Sequence, residues 1–252
     1  MTLTGRVVGT TIKRLTRILC RVDDAQLAHV PTQGPLILIA NHVNFLEVPL
    51  LYTHLQPRPV TGFAKIETWN NPAMGLLFDL YGAIPLRRGE ADVAAFRRGL
   101  AILEAGQILA VAPEGTRSGH GRLGRGYPGV VMLALRSGAP LLPIAYYGGE
   151  SFRQNIARLR RTDFHIVVGQ PFYLEAGEVQ MTRVVRRQMV DEIMYQLAAL
   201  LPPAYRGHYS NLDAATEQYL RFPVSSESNL HRVGQHHGTA HLSKSLIREL
   251  HE

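Results

Sequence analysis

With 252 residues, 46% of them apolar, the chain has the length for one sizeable α/β domain with a small appendage. A single cysteine, Cys20, excludes an internal disulfide framework and fits a reducing compartment. The formal charge of +7 rests on 24 arginines and three lysines against 20 acids, a balance that suits nucleic acid, anionic lipid or acidic carriers, and no apolar run reaches the roughly 18 residues of a membrane span.

The first segment, residues 1–30, carries "RVVGTTIKRLTRILCRV", whose basic residues are interleaved throughout rather than placed ahead of an apolar core as in a secretory signal. Its spacing predicts a helix with Val8, Ile12, Leu15 and Leu19 on one face and Lys13, Arg14, Arg17 and Arg21 beside it. Such a helix suits either an anionic membrane surface or a site on its own domain.

Residues 31–203 read as an α/β domain, a mixed sheet flanked by helices. "PLILIA", "RPVTGFA", "ILAVAPEG", "PLLPIAYYG" and "FHIVVGQPF" are short apolar runs of buried strands. Between them, "DVAAFRRGLAILEAG" has Val93, Phe96, Leu100 and Leu103 at helical spacing and stops at Gly106, and a later helix in "MTRVVRRQMVDEIMYQLAALLPP" is closed by Pro202 and Pro203. Residues 204–252 read as a partly mobile extension; its last stretch gathers five of the eleven histidines without the acids or cysteines of a metal site.

Two His-x4-acid pairs occur, His42 with Glu47 and His208 with Asp213, and 11 histidines with 20 acids predict about 0.9 such pairs by chance. Context separates them. His42 follows a strand, where open α/β sheets bind ligands. A helix over residues 44–51, with Asn44 as its cap, would bring the Glu47 carboxylate to one imidazole nitrogen and leave the other for a substrate, the arrangement of an oriented general base. The same residues also suit a turn histidine bonded to backbone and an acid at a helix N-terminus. His208 has neither a strand before it nor a glycine-rich loop after it and reads as a coincidence.

Downstream, "APEGTRSGHGRLGRG" combines Glu114, Arg117, Arg122 and Arg125 with five glycines in fifteen residues, a loop suited to a phosphate or carboxylate. It lacks the nucleotide-binding G-x-x-x-x-G-K-[ST] pattern. In "YGAIPLRRGEAD" the adjacent Arg87 and Arg88 cannot face the same way on an extended strand, so one points into a site.

Taken in order, "NHVNFLE", "GAIPLRR", "PEGTRS" and "LPIAYYG" resemble the four blocks of the glycerolipid acyltransferase family, specifically the bacterial 1-acylglycerol-3-phosphate (lysophosphatidate) acyltransferases, and Glu114 stands 72 residues after His42, similar to the family spacing. The resemblance implies that His42 takes the proton of an acceptor hydroxyl that attacks a fatty acyl thioester, with Glu47 steadying the imidazole. It implies that Arg88 holds the acceptor's phosphate and that Glu114, Gly115, Thr116 and Arg117 complete the acceptor site. Lys65 resembles a family lysine near the site. Glu47 departs from the usual aspartate, Ala112 from a common phenylalanine, and Arg125 stands where a lysine often follows. The implied co-substrate is acyl-CoA or acyl carrier protein and the acceptor a lysophospholipid, with no cofactor, no metal and no nucleic acid. The implied place is peripheral, on an anionic membrane surface at the cytoplasmic face. Rival readings are transfer to glycerol 3-phosphate, an ornithine lipid or a glycolipid, and a non-catalytic basic module that binds lipid or nucleic acid.

Overall fold

A computed structural model describes residues 3–58, 60–89 and 92–232. Its frame is a seven-stranded sheet in the order β1-β7-β6-β2-β5-β3-β4. The strands are β1 (Cys20–Asp23), β2 (Leu36–Ala40), β3 (Val60–Lys65), β4 (Ile84–Leu86), β5 (Ile108–Val111), β6 (Leu141–Tyr147) and β7 (Thr162–Val168). β6, β2, β5, β3 and β4 run parallel, whereas β7 is antiparallel to β6 and carries β1 alongside in its own direction. The sheet is therefore mixed, as expected from the sequence.

The helices are α1 (Leu3–Leu19), α2 (Glu47–His54), α3 (Pro72–Leu80), α4 (Val93–Glu104), α5 (Gly129–Ser137), α6 (Phe152–Ala157) and α7 (Arg183–Ala198). All five residues of the central β2 are buried, because helices cover both faces of a parallel sheet. The two-residue alternation of the strand splits them. Ile37 and Ile39 join the core beneath α4, α5 and α7, and Leu36, Leu38 and Ala40 join the core that receives Leu50 and Leu51 of α2.

Local chemistry sets the helix ends. Asn71 accepts N–H bonds from Ala73 and Met74 (both 3.1 Å) with Pro72 opening α3, and Asp92 accepts from Ala95 (3.0 Å) at the start of α4. The helix expected to stop at Gly106 ends at Glu104.

Three features depart from the sequence reading. The short strand β1 and the helices α3 and α5 are not among the predicted elements; α3 and α5 are nine residues each and nearly continuous apolar runs, in which period alone does not separate helix from strand. In α1 the fully buried seam is Gly5, Gly9 and Thr16, with Val8, Ile12 and Leu19 only half-buried and Leu15 exposed beside Val7 and Ile18. Small residues at the seam let the helix lie close to α2; a Cβ on Gly9 would stand 3.1 Å from the Gln56 amide. Finally, residues 204–232 are packed onto α7, with Tyr209, Tyr219 and Asn229 buried and a short β8 (Tyr173–Leu174) paired to β9 (Leu220–Arg221). The histidine-rich remainder lies outside the described residues.

Candidate active site

The parallel strands β2 to β6 all end at one edge of the sheet, and the loops beyond that edge supply the site. β2 delivers Asn41 and His42, β3 ends in Lys65, β4 leads into Arg88, and β5 leads into Pro113, Glu114 and Gly115. Asn41 is clamped to β6, its side chain donating to the Tyr146 carbonyl and accepting from the Tyr146 N–H at 2.7 Å each. This pins the position where the chain leaves the sheet.

Glu47 is the first residue of α2, and its carboxylate points back across the turn. It accepts the Asn44 N–H on both oxygens (3.0 and 3.1 Å) and meets His42 Nδ1 at 3.2 Å. A carboxylate bonded to Nδ1 fixes that nitrogen as the donor and leaves Nε2 with its lone pair. Asn44 does not cap α2 directly, but its side chain accepts the Leu46 N–H at 2.7 Å and donates to the Gly149 carbonyl at 2.6 Å, so it anchors the turn that carries the pair.

The backbone of His42 is gripped separately. Its N–H donates to Glu114 Oε1 at 2.9 Å, and its carbonyl accepts from Ser118 N–H at 2.8 Å. The other oxygen of Glu114 accepts the Gly124 N–H at 2.6 Å. Burial pushes the Glu114 carboxyl above its usual range, opposed by these two N–H donors. Glu114 therefore ties the glycine-rich loop to the histidine, and both its oxygens are occupied by backbone.

His42, Glu47, Lys65, Arg88, Gly115 and Tyr127 line one cavity of about 550 Å³. Its deeper walls are apolar, with Leu51 of α2, Phe63 of β3, Phe96 of α4 and Met132 of α5 among them. Arg88 faces it and Arg87 does not, the split that the adjacent pair predicts; the Arg87 N–H instead donates to Asp92 at 3.0 Å. Desolvation and the neighbouring Arg117 hold the Arg88 guanidinium below its ordinary pKa, while Glu67 opposes them. An anion in the cavity would offset the desolvation of Arg88. Thr116 and Arg117 are exposed at the rim and do not line the cavity itself.

Sequence reasoning passed over Tyr127. Tyr127 lies against Gly115 at the mouth of the cavity, its N–H donating to the Pro113 carbonyl at 2.8 Å, and the only signal was a tyrosine inside "GRGYPG". His208 stacks edge-on against Tyr209 with centroids 5.0 Å apart and forms no bond to Asp213 among the described residues.

A family model described as Acyltransferase matches residues 21–147, half of the chain. A lyso-ornithine lipid O-acyltransferase from Pseudomonas aeruginosa is 30% identical over 67% of this chain and 74% of its own length. The 1-acyl-sn-glycerol-3-phosphate acyltransferase of Bacillus subtilis is 24% identical over 58% of this chain and 70% of its own. A chloroplast 1-acyl-sn-glycerol-3-phosphate acyltransferase of Brassica napus is 27% identical over 61% of this chain, which spans only 45% of that longer relative. Among solved structures, the 1-acyl-sn-glycerophosphate acyltransferase PlsC of Thermotoga maritima shares the fold, with a TM-score of 0.55 and 20% identity over 75% of this chain and 76% of that one. The chain therefore belongs to the acyltransferase family, a family of enzymes.

Proposed function

We propose that this protein transfers a fatty acyl group from a thioester, acyl-CoA or acyl carrier protein, to the free hydroxyl of a lysophosphatidate-like acceptor. One observation carries the reading: an imidazole held by a carboxylate at 3.2 Å shares a single cavity with Arg88 and with apolar walls. His42 Nε2 takes the hydroxyl proton as the oxygen attacks the thioester carbonyl, and Glu47 stabilises the imidazolium that forms. Collapse of the tetrahedral intermediate expels the thiolate, which recovers the proton from His42. No acyl-enzyme is needed. The apolar walls suit an acyl chain, and Arg88 with Arg117 suits the phosphate.

An acceptor that is a membrane lipid agrees with peripheral attachment through α1, whose exposed Val7, Leu15 and Ile18 lie among arginines. Among the described residues no helix is long and apolar enough to cross a membrane. A second acceptor, a lyso-ornithine lipid carrying a carboxylate in place of the phosphate, is favoured by the Pseudomonas relative.

The test is thiol release from both thioester donors against a panel of lysolipid acceptors. His42→Ala is expected to lower kcat by about a thousandfold or more. Arg88→Ala is expected to raise KM for lysophosphatidate by about tenfold or more with kcat less affected. Turnover that survives in His42→Ala overturns the base assignment, and an unchanged KM in Arg88→Ala with brisk turnover of lyso-ornithine lipid moves the assignment to that acceptor.

A further inference from the structure

α6 ends in a turn that breaks two local rules at once. Leu159 has φ +52°, the one positive φ of a non-glycine among the described residues, and its residue surface is 97% exposed. A helix that ends in this left-handed conformation normally places glycine there, since a branched apolar side chain strains the backbone. Here the geometry is enforced. The Leu159 N–H donates to the Ile156 carbonyl at 3.1 Å and the Arg160 N–H to the Asn155 carbonyl at 2.8 Å, while the Asn155 side chain donates to Thr162 Oγ1 at 3.1 Å. The strain costs stability and the exposed side chain recovers none of it by burial against the described residues.

"FRQNIARLRR" holds four arginines and no acid. Arg153, Arg158 and Arg160 are exposed and form no ion pair with a described residue, and Ile156 is exposed on the preceding turn. Arg161 fastens the turn to α1 by donating to the Arg17 and Cys20 carbonyls, which sets it beside the exposed Leu15 and Ile18. Strand register fixes the location. Tyr147 pairs with His165 in the antiparallel ladder, so Thr162 extends past the end of β6, and Cys20 pairs with Thr162. The Leu159 turn and the last turn of α1 therefore stand at the same edge of the sheet as the His42 loop, which touches α6 through Phe45 and Phe152 with ring centroids 5.7 Å apart.

We propose that the α6–β7 turn is a second bilayer contact, in which Leu159 enters the hydrocarbon boundary of an anionic membrane while Arg153, Arg158 and Arg160 meet lipid phosphates. Exposed apolar side chains flanked in sequence by arginines match a fluid apolar medium beneath anionic headgroups better than a shaped protein surface. Together with α1 it turns the catalytic edge toward the lipid, a consequence that rests on the reading of the acceptor as a membrane lipid.

The experiment compares wild type with Leu159→Gly, which keeps the left-handed turn and relieves its strain. Binding is read by co-sedimentation with vesicles of phosphatidylcholine alone or mixed with phosphatidylglycerol. Expected are preference of the wild type for anionic vesicles, partition about tenfold weaker in Leu159→Gly, and a urea midpoint that is equal or higher. The double variant Arg158→Gln, Arg160→Gln is expected to lose the anionic preference. Turnover of a short-chain, monomerically dispersed lysophosphatidate should match wild type in Leu159→Gly, while turnover of acceptor embedded in vesicles falls. Unchanged vesicle binding in Leu159→Gly overturns the proposal, and so does an equal loss on dispersed acceptor. A rise confined to KM for acyl carrier protein would instead give this surface to the carrier. If wild type binds vesicles through Leu159 yet acylates no lysolipid, the bilayer contact stands and the acceptor reading alone fails.

Discussion

Glu47 does two things with one carboxylate, closing the turn by accepting the Asn44 N–H and orienting His42 through Nδ1. The extra methylene relative to aspartate is absorbed by placing the residue at the first position of α2 and folding the side chain back, so both oxygens reach the preceding backbone. Shortening it within this scaffold separates the two tasks. Glu47→Asp is expected to lower kcat about tenfold with KM for the acceptor unchanged, because the imidazolium loses its partner only in the reacting state. Steady-state kinetics at saturating donor decides it; a variant at or above wild-type kcat would mean that the turn adjusts freely. Glu114, by contrast, is committed to the His42 and Gly124 N–H groups, and both its oxygens accept from backbone.

At the scale of elements, the glycine-rich loop is held from outside the site by α7. The Arg187 guanidinium donates to the Gly126 carbonyl at 2.8 Å and to the Tyr209 hydroxyl at 2.9 Å, and that hydroxyl accepts the Gly126 N–H at 3.2 Å while donating to Asp191 at 2.8 Å. Gly126 lets the loop approach α7 closely, since a Cβ would stand 2.7 Å from the Met194 side chain and 2.8 Å from that of Val190 and force them to shift. Two residues earlier the same loop gives its N–H to Glu114. Tyr209→Phe removes the hydroxyl from this junction. It is expected to cost about 1–2 kcal/mol in urea unfolding and to lower kcat by about threefold as the loop loosens around Glu114. A stability loss with kcat untouched would break the link from α7 to His42.

For the whole molecule, acid sensitivity is built into the seam between α1 and the domain. The His54 side chain is fully buried, its Nε2 unbonded and 3.8 Å from Asp24, and burial with Lys13 and Arg17 nearby lowers its pKa to about 4 against the pull of Asp24. The native state therefore resists a proton that the unfolded chain accepts near the ordinary histidine value. This contribution is fully present above pH ~6.5 and is lost as pH falls toward about 4, roughly 2–3 kcal/mol across that window. Urea titrations between those limits should show a shallower pH slope in His54→Gln than in wild type. Equal slopes would show that the site is solvated.

The sequence alone determined the class of fold, the central strands and the family, because buried strands and capped helices are written in local composition and period and the four blocks in short motifs. Local context also separated His42 from His208, whereas the adjacent arginines showed only that one of the two turns inward, and it was the family resemblance that pointed to Arg88. Tertiary structure alone decided what required elements far apart in the chain to meet. It tied Glu114 to the His42 and Gly124 N–H groups, selected the small-residue seam of α1 over its larger apolar face, packed residues 204–232 against α7, and set the Leu159 turn at the same sheet edge as the His42 loop. The physical reason is that a side chain's partners are fixed by strand order and register, and a sequence read along its length carries neither.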